Sequence, residues 1–197
     1  MVSRLVAVEF VSADGVMQGL RSPDEDREGG FAHGGWGQRY GDVLHEVLDP
    51  DGLASTSAYL FGRKTYDKLA AFWPSQPAAN PMAASLNATP KYVATRTRPD
   101  LTWSGSVPLE GDLLDAVQVV KTRTAGDTVI LGSGDLVRQL MAAGLIDELR
   151  LFVHPLLLGE GKRLFGALPA PRELGLRNVA ATSKGTLAIT YALGPQA

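Results

Sequence analysis

The chain has 197 residues, 45% hydrophobic and 20% charged, with a formal net charge of −2. That is enough length for one sizeable core in a single domain over 1–197, and too balanced a charge to capture nucleic acid or an anionic bilayer by long-range attraction, so a small-molecule partner is expected. It contains no cysteine, which excludes disulfides, thiolate metal ligands and cysteine nucleophiles and suits a reducing, cytoplasmic setting.

Leu5 to Val11 is almost wholly apolar, as in a strand covered on both faces, and Glu9 breaks the run too early for a secretion-signal core. No apolar stretch approaches the length of a membrane span. Residues 14 to 34 are polar and glycine-rich, with Asp24 to Glu28 all charged, predicting a long exposed loop. From Trp36, the apolar residues Tyr40, Val43, Leu44 and Val47 recur at three- and four-residue steps, predicting an amphipathic helix ending near Asp49-Pro50. Ala58 to Phe61 reads as a strand, Thr65 to Phe72 as a helix, and the four prolines between 74 and 90 leave room for one short helix at most.

Strand and helix then alternate: Tyr92 to Thr95, a helix capped by Asp112, Thr128 to Leu131, and a helix from Leu136 ended by Gly144. Glu148 to His154 returns as a strand. Leu174 to Thr182 and Thr186 to Leu193 flank Ser183-Lys184-Gly185 as an antiparallel hairpin. The fold class predicted is α/β, a three-layer αβα sandwich with a mixed, mostly parallel central sheet. Leu187, Ile189, Tyr191 and Leu193 share one face of the hairpin, which suits either the monomer core or a second subunit, and a homodimer is expected.

Chemistry is expected where strands turn into helices, because a helix N-terminus offers unpaired N–H groups and partial positive charge to a phosphate. Gly62-Arg63-Lys64-Thr65-Tyr66 and Gly132-Ser133-Gly134-Asp135-Leu136 are two such junctions; taken singly, each also reads as an ordinary βα turn. Thr95 and Arg96 follow a third strand, where an arginine and hydroxyls suit the ribose phosphate that separates NADP from NAD. Neither a Walker loop nor the G-x-G-x-x-G fingerprint is present. His33, His45 and His154 are dispersed, so no metal site is expected, and Ser133 sits in no nucleophile elbow. Lys162 and Arg163 read either as a substrate-phosphate contact or as solvated charges on a connecting loop.

The order of these pieces resembles the dihydrofolate reductase superfamily and, within it, the RibD C-terminal (riboflavin-biosynthesis reductase) domain family. The residues that carry the likeness are Glu9 to Gly15, Gly62 to Tyr66, Thr95-Arg96, Val129 to Gly134 and His154 to Gly161. The resemblance implies NADPH as cofactor, with its pyrophosphate near Gly62, Arg63, Lys64 and Thr65 and near Gly132, Ser133, Gly134, Asp135 and Leu136, and its 2'-phosphate near Thr95 and Arg96. It further implies a substrate pocket of Asp14, Val16, Met17, Trp36 and Tyr40, Asp14 being the polar anchor; Asp14-Gly15 also reads as a plain turn, and Trp36 and Tyr40 as core. The helical carboxylate of true dihydrofolate reductases has no counterpart here, since Asp42 lies about 240° around the helix from Trp36. The activity implied is hydride transfer to a small C=N or C=O compound, as in reduction of 5-amino-6-(5-phosphoribosylamino)uracil. A pterin reductase and a non-catalytic nucleotide sensor of the same fold are the alternatives.

Overall fold

In a computed structural model, residues 3–47, 50–97, 100–168 and 170–194 are described. The chain forms two compact units, Met1–Ala7 with Asp49–Asp147, and Val8–Leu48 with Glu148–Ala197. Eight strands form a mixed, mostly parallel sheet in the order β4-β3-β2-β5-β1-β6-β8-β7. Strand β1 (Leu5–Ser12) is shared by both units.

The first unit carries β2 (Thr56–Gly62), β3 (Lys91–Ala94), β4 (Ser106–Pro108) and β5 (Asp127–Leu131). Its helices are α1 (Pro50–Ala54), α2 (Arg63–Ala70), α3 (Pro81–Ala88), α4 (Leu113–Arg123) and α5 (Gly134–Ala142). Strand β2 pairs in parallel with both β3 and β5, and its residues Ala58 to Phe61 are buried, which is why that stretch is uninterruptedly apolar. Helices α2, α4 and α5 bury Tyr66 and Leu69, Val117 and Val120, and Leu136, Val137, Leu140 and Met141. Asp112 caps α4 by accepting from the amides of Leu114 and Asp115, and Gly144 follows α5 with φ +72°, both as predicted.

Two charged groups of this unit, Asp127 and Lys91, are buried and paired. The Arg4 guanidinium donates to both oxygens of Asp127, at 2.9 and 2.6 Å, and Ser55 adds a third donor. Lys91 is fully buried, its ammonium donating to the carbonyls of Thr89 and Ser104 with the Trp103 ring 4.8 Å away. Burial pushes its pKa down to about 8.

The second unit carries the rest of β1 with β6 (Glu148–His154), β7 (Gly175–Ala181) and β8 (Leu187–Ala192). Strand β8 lies antiparallel between β6 and β7, the expected hairpin. The segment predicted as an α-helix from Trp36 is instead a 3-10 helix, Gln38–Val47. Gly37 and Gly41 weaken an α-helix at its start and middle, and Gly37 lies so close to Leu20 that no side chain fits there. The predicted end of that helix at Asp49 lies outside the described residues. The loop from 14 to 34 is less exposed than predicted: Val16, Gln18 and Phe31 are buried, and Val16, Phe31 and Trp36 form a cluster packed by Leu20, Leu156 and Leu158.

Candidate functional site

In the first unit the register brings the predicted phosphate-binding residues together. Leu60 pairs with Tyr92 on one side and Ile130 on the other, and Gly62 with Ala94. The ends of β3, β2 and β5 are therefore level, and Thr95, Gly62 and Gly132 leave the sheet along one edge. The two glycine turns touch: the amide of Gly62 donates to Ser133 Oγ at 3.0 Å. A Cβ on Gly132 would stand 3.6 Å from the Thr65 methyl.

Ser133 is left-handed, with φ 66° and ψ 43°, in a region where side chains cost about 1 kcal/mol. Its bond to Gly62 offsets that strain. Helices α2 and α5 both begin here, and neither N-cap residue, Gly62 or Ser133, makes a side-chain capping bond, so the first-turn amides keep their donor capacity. Two such N-termini side by side fit a diphosphate.

The side chains around them divide. Arg63 is tied through Nε to both oxygens of Asp67 at 2.8 Å, and Asp135 pairs with Arg138. Lys64 is exposed, while Gly134 and Leu136 are buried and shape the helix start. Arg96 is exposed, and Thr95 Oγ1 accepts from the Thr97 amide at 3.2 Å.

In the second unit, the Asp14 carboxylate is enclosed by the protein itself. Ser12 Oγ donates to it at 2.6 Å, and the amides of Leu158 and Gly159 at 3.2 and 2.8 Å, with Arg163 alongside. The Ser12 hydroxyl foremost, then the Gly159 and Leu158 amides, push its pKa down to about 2. Asp14 thus ties the loop after β1 to the segment after β6.

Lys162 makes a second tie. Its ammonium meets Asp26 at 2.8 Å and Glu28 at 2.7 Å, and its amide donates to Gln18 Oε1 at 2.9 Å. Neither Lys162 nor Arg163 is a merely solvated charge, because the carboxylates they meet come from a loop more than a hundred residues away in sequence.

Of the predicted pocket residues, Val16 is fully buried and Met17 half-buried. Trp36 donates its indole N–H to the Gln18 carbonyl at 2.7 Å. Trp36 and Tyr40 meet on His154, one of three imidazoles scattered along the sequence. Tyr40 stacks on it at 4.7 Å, Trp36 stands edge-on at 5.5 Å, and Phe10 lies behind at 6.2 Å.

His154 is 1% exposed; Nδ1 bonds Thr186 Oγ1 at 2.9 Å, while Nε2 is buried with no hydrogen-bond partner. Burial pushes its pKa down to about 4, so the imidazole is neutral at pH 7. Nothing in sequence spacing marks it, because its partners come from β1, the 3-10 helix and the β7–β8 turn.

Residues 4–188 match the model of the RibD C-terminal domain. The chain belongs to the RibD C-terminal domain family. It is 28% identical over 170 residues to the uncharacterised protein YyaP of Bacillus subtilis (strain 168), covering 82% of this chain and 88% of that one. Among solved structures, a Shewanella sp. PV-4 protein assigned to riboflavin biosynthesis superposes with a TM-score of 0.67 at 19% identity, covering 98% and 99% of the two chains. Dihydrofolate reductase of Enterococcus faecalis, complexed with NADP(H) and RAB-propyl, gives 0.52 at 15% identity over 98% and 99%. The fold is dihydrofolate reductase-like, and family and fold together support a reductase.

Proposed function

We propose that this chain is a single NADPH-dependent reductase domain that reduces a small C=N or C=O substrate, in the manner of a 5-amino-6-(5-phosphoribosylamino)uracil reductase. The observation that carries the reading is the pair of uncapped helix N-termini joined by the Gly62–Ser133 bond, in a chain of the RibD C-terminal domain family. NADPH, when bound, supplies the hydride. The amides that open α2 and α5 hold the pyrophosphate, the Ser133 hydroxyl keeps its proton to donate, and Arg96 meets the 2'-phosphate.

On the substrate side, Asp14 acts through the loop it holds, Val16 and Met17 follow it in that loop, and Trp36 and Tyr40 supply apolar walls. The protein contributes mainly orientation. The exposed apolar side chains of the hairpin, Leu176 at 59% and Val179 at 52%, favour a homodimer.

Fluorescence titration tests the cofactor half: NADPH binding in preference to NADH is expected, and an Arg96→Ala variant should lose that preference. Equal affinity for both cofactors in the parent protein would remove Arg96 from its role. Following NADPH oxidation with the ribosylamino-pyrimidine, dihydrofolate and a carbonyl panel tests the other half. NADPH binding with no turnover on any of these would favour the sensor reading.

A further inference from the structure

Around Tyr40 the second unit has an open recess of about 480 Å³, lined by Arg39, Tyr40, Pro155 and Lys184. That volume lies within the range that small-molecule sites occupy. Its charges are not balanced. Lys184 spends its ammonium on both oxygens of Asp42, at 2.7 and 2.8 Å, and on the Arg39 carbonyl at 2.8 Å. The pair is net neutral, and the Lys184 hydrogen bond holds the Asp42 carboxyl below its ordinary range.

Arg39 is different. Its guanidinium lies 5.4 Å over the Tyr40 ring, and among the described residues it has no carboxylate partner. The same ring is stacked on His154 at 4.7 Å, so Tyr40 is held by contacts with both an imidazole and a guanidinium. The Tyr40 ring is buried, and its hydroxyl, which is not itself a buried atom, makes no hydrogen bond to any described residue and opens to solvent. Two donors without acceptors thus converge on one recess, beside an apolar wall from Pro155.

We propose that this recess binds a small organic acid, its carboxylate or phosphate taken by the Arg39 guanidinium and the Tyr40 hydroxyl and its apolar body resting on Pro155. A planar guanidinium matches either oxyanion through two parallel N–H donors, and one uncompensated cation selects an anion over its neutral isostere. The cation is held in place before a ligand arrives, because Tyr40 cannot turn away without leaving His154. The assignment shares Tyr40 with the proposed substrate pocket and rests on that half of the reductase reading, but it uses none of the residues opening α2 and α5, so it is separable from the cofactor half.

Calorimetric titration of the full chain with benzoate, phenyl phosphate and benzyl alcohol, with no nicotinamide present, tests it. Saturable binding of benzoate or phenyl phosphate but not of benzyl alcohol is expected. It should weaken about tenfold or more in Arg39→Gln and less in Arg39→Lys. Arg39 is exposed, so these variants should melt at the parent's temperature. Whichever acid binds identifies the head group. Saturation by neither acid, or binding unchanged in Arg39→Gln, would overturn the proposal, and NADPH binding, which uses other residues, distinguishes that outcome from failure of the cofactor half of the reductase reading.

Discussion

At the residue scale, the two most informative side chains are ionisable groups whose protonation the surroundings decide. His154 has a folded pKa near 4 against an ordinary 6.5, so between those values the unfolded chain binds more protons than the folded one. Stability should therefore fall as pH drops from about 6.5 to 4, by on the order of 3 kcal/mol in full. His154→Phe, which keeps a ring against Tyr40, should flatten that limb in urea melts taken at several pH values; an unchanged slope would show that another group causes it. Asp14 shifts downward for the opposite reason: three donors favour its charge, so its contribution is present above pH 4 and lost towards pH 2. Asp14→Asn should cost about 1–2 kcal/mol at pH 7 and almost nothing at pH 2, a difference that thermal melts at the two pH values would read. The sequence singled out Asp14 but not its duty, since Leu158 and Gly159 lie some 144 residues on.

At the element scale, two glycines are expected to separate binding from folding. Gly62 has φ −73° and ψ 153°, and a Cβ there would meet Ser133 at an ordinary 3.6 Å. Gly62→Ala should leave stability within about 0.5 kcal/mol yet weaken NADPH about tenfold by crowding the diphosphate; equal affinity in the fluorescence titration would place the phosphates elsewhere. Gly161 behaves in the reverse way. At φ +110°, with a Cβ due 2.8 Å from both Phe31 and Val16, Gly161→Ala should cost about 2 kcal/mol or more, measurable by urea unfolding. Periodicity and turn chemistry located most elements to within two residues. They missed α1, five residues long, and β4, whose three residues end in Pro108, because neither is long enough to show a period. The 3-10 form of Gln38–Val47 was equally hidden. Its apolar spacing suits an α-helix, and the preference is overridden by glycines and by the bonds that Lys184 and Ser183 donate to Asp42 and Glu46.

At the scale of the whole molecule, the last hairpin bears on assembly. Every residue of β7 is exposed, and Arg177 is its one charged residue. If the hairpin pairs subunits, sedimentation should give twice 20.9 kDa, and Leu176→Glu with Val179→Glu should return the monomer; a parent protein sedimenting as a monomer would end that expectation. The sheet was legible beforehand as mixed, because alternating strands and helices require parallel pairing and a short turn between two strands requires antiparallel pairing. The three segments proposed to bind phosphate were legible as pieces, since glycine at a strand end and a helix start are local properties of the chain. Sequence alone thus determined which residues can turn, cap and cover. Only the tertiary structure decided which of them meet: Ser133 with Gly62, Lys162 with Asp26 and Glu28, and Tyr40 with His154. Those contacts depend on strand order and register, and residues far apart in sequence carry no local mark of the partner that folding brings to them.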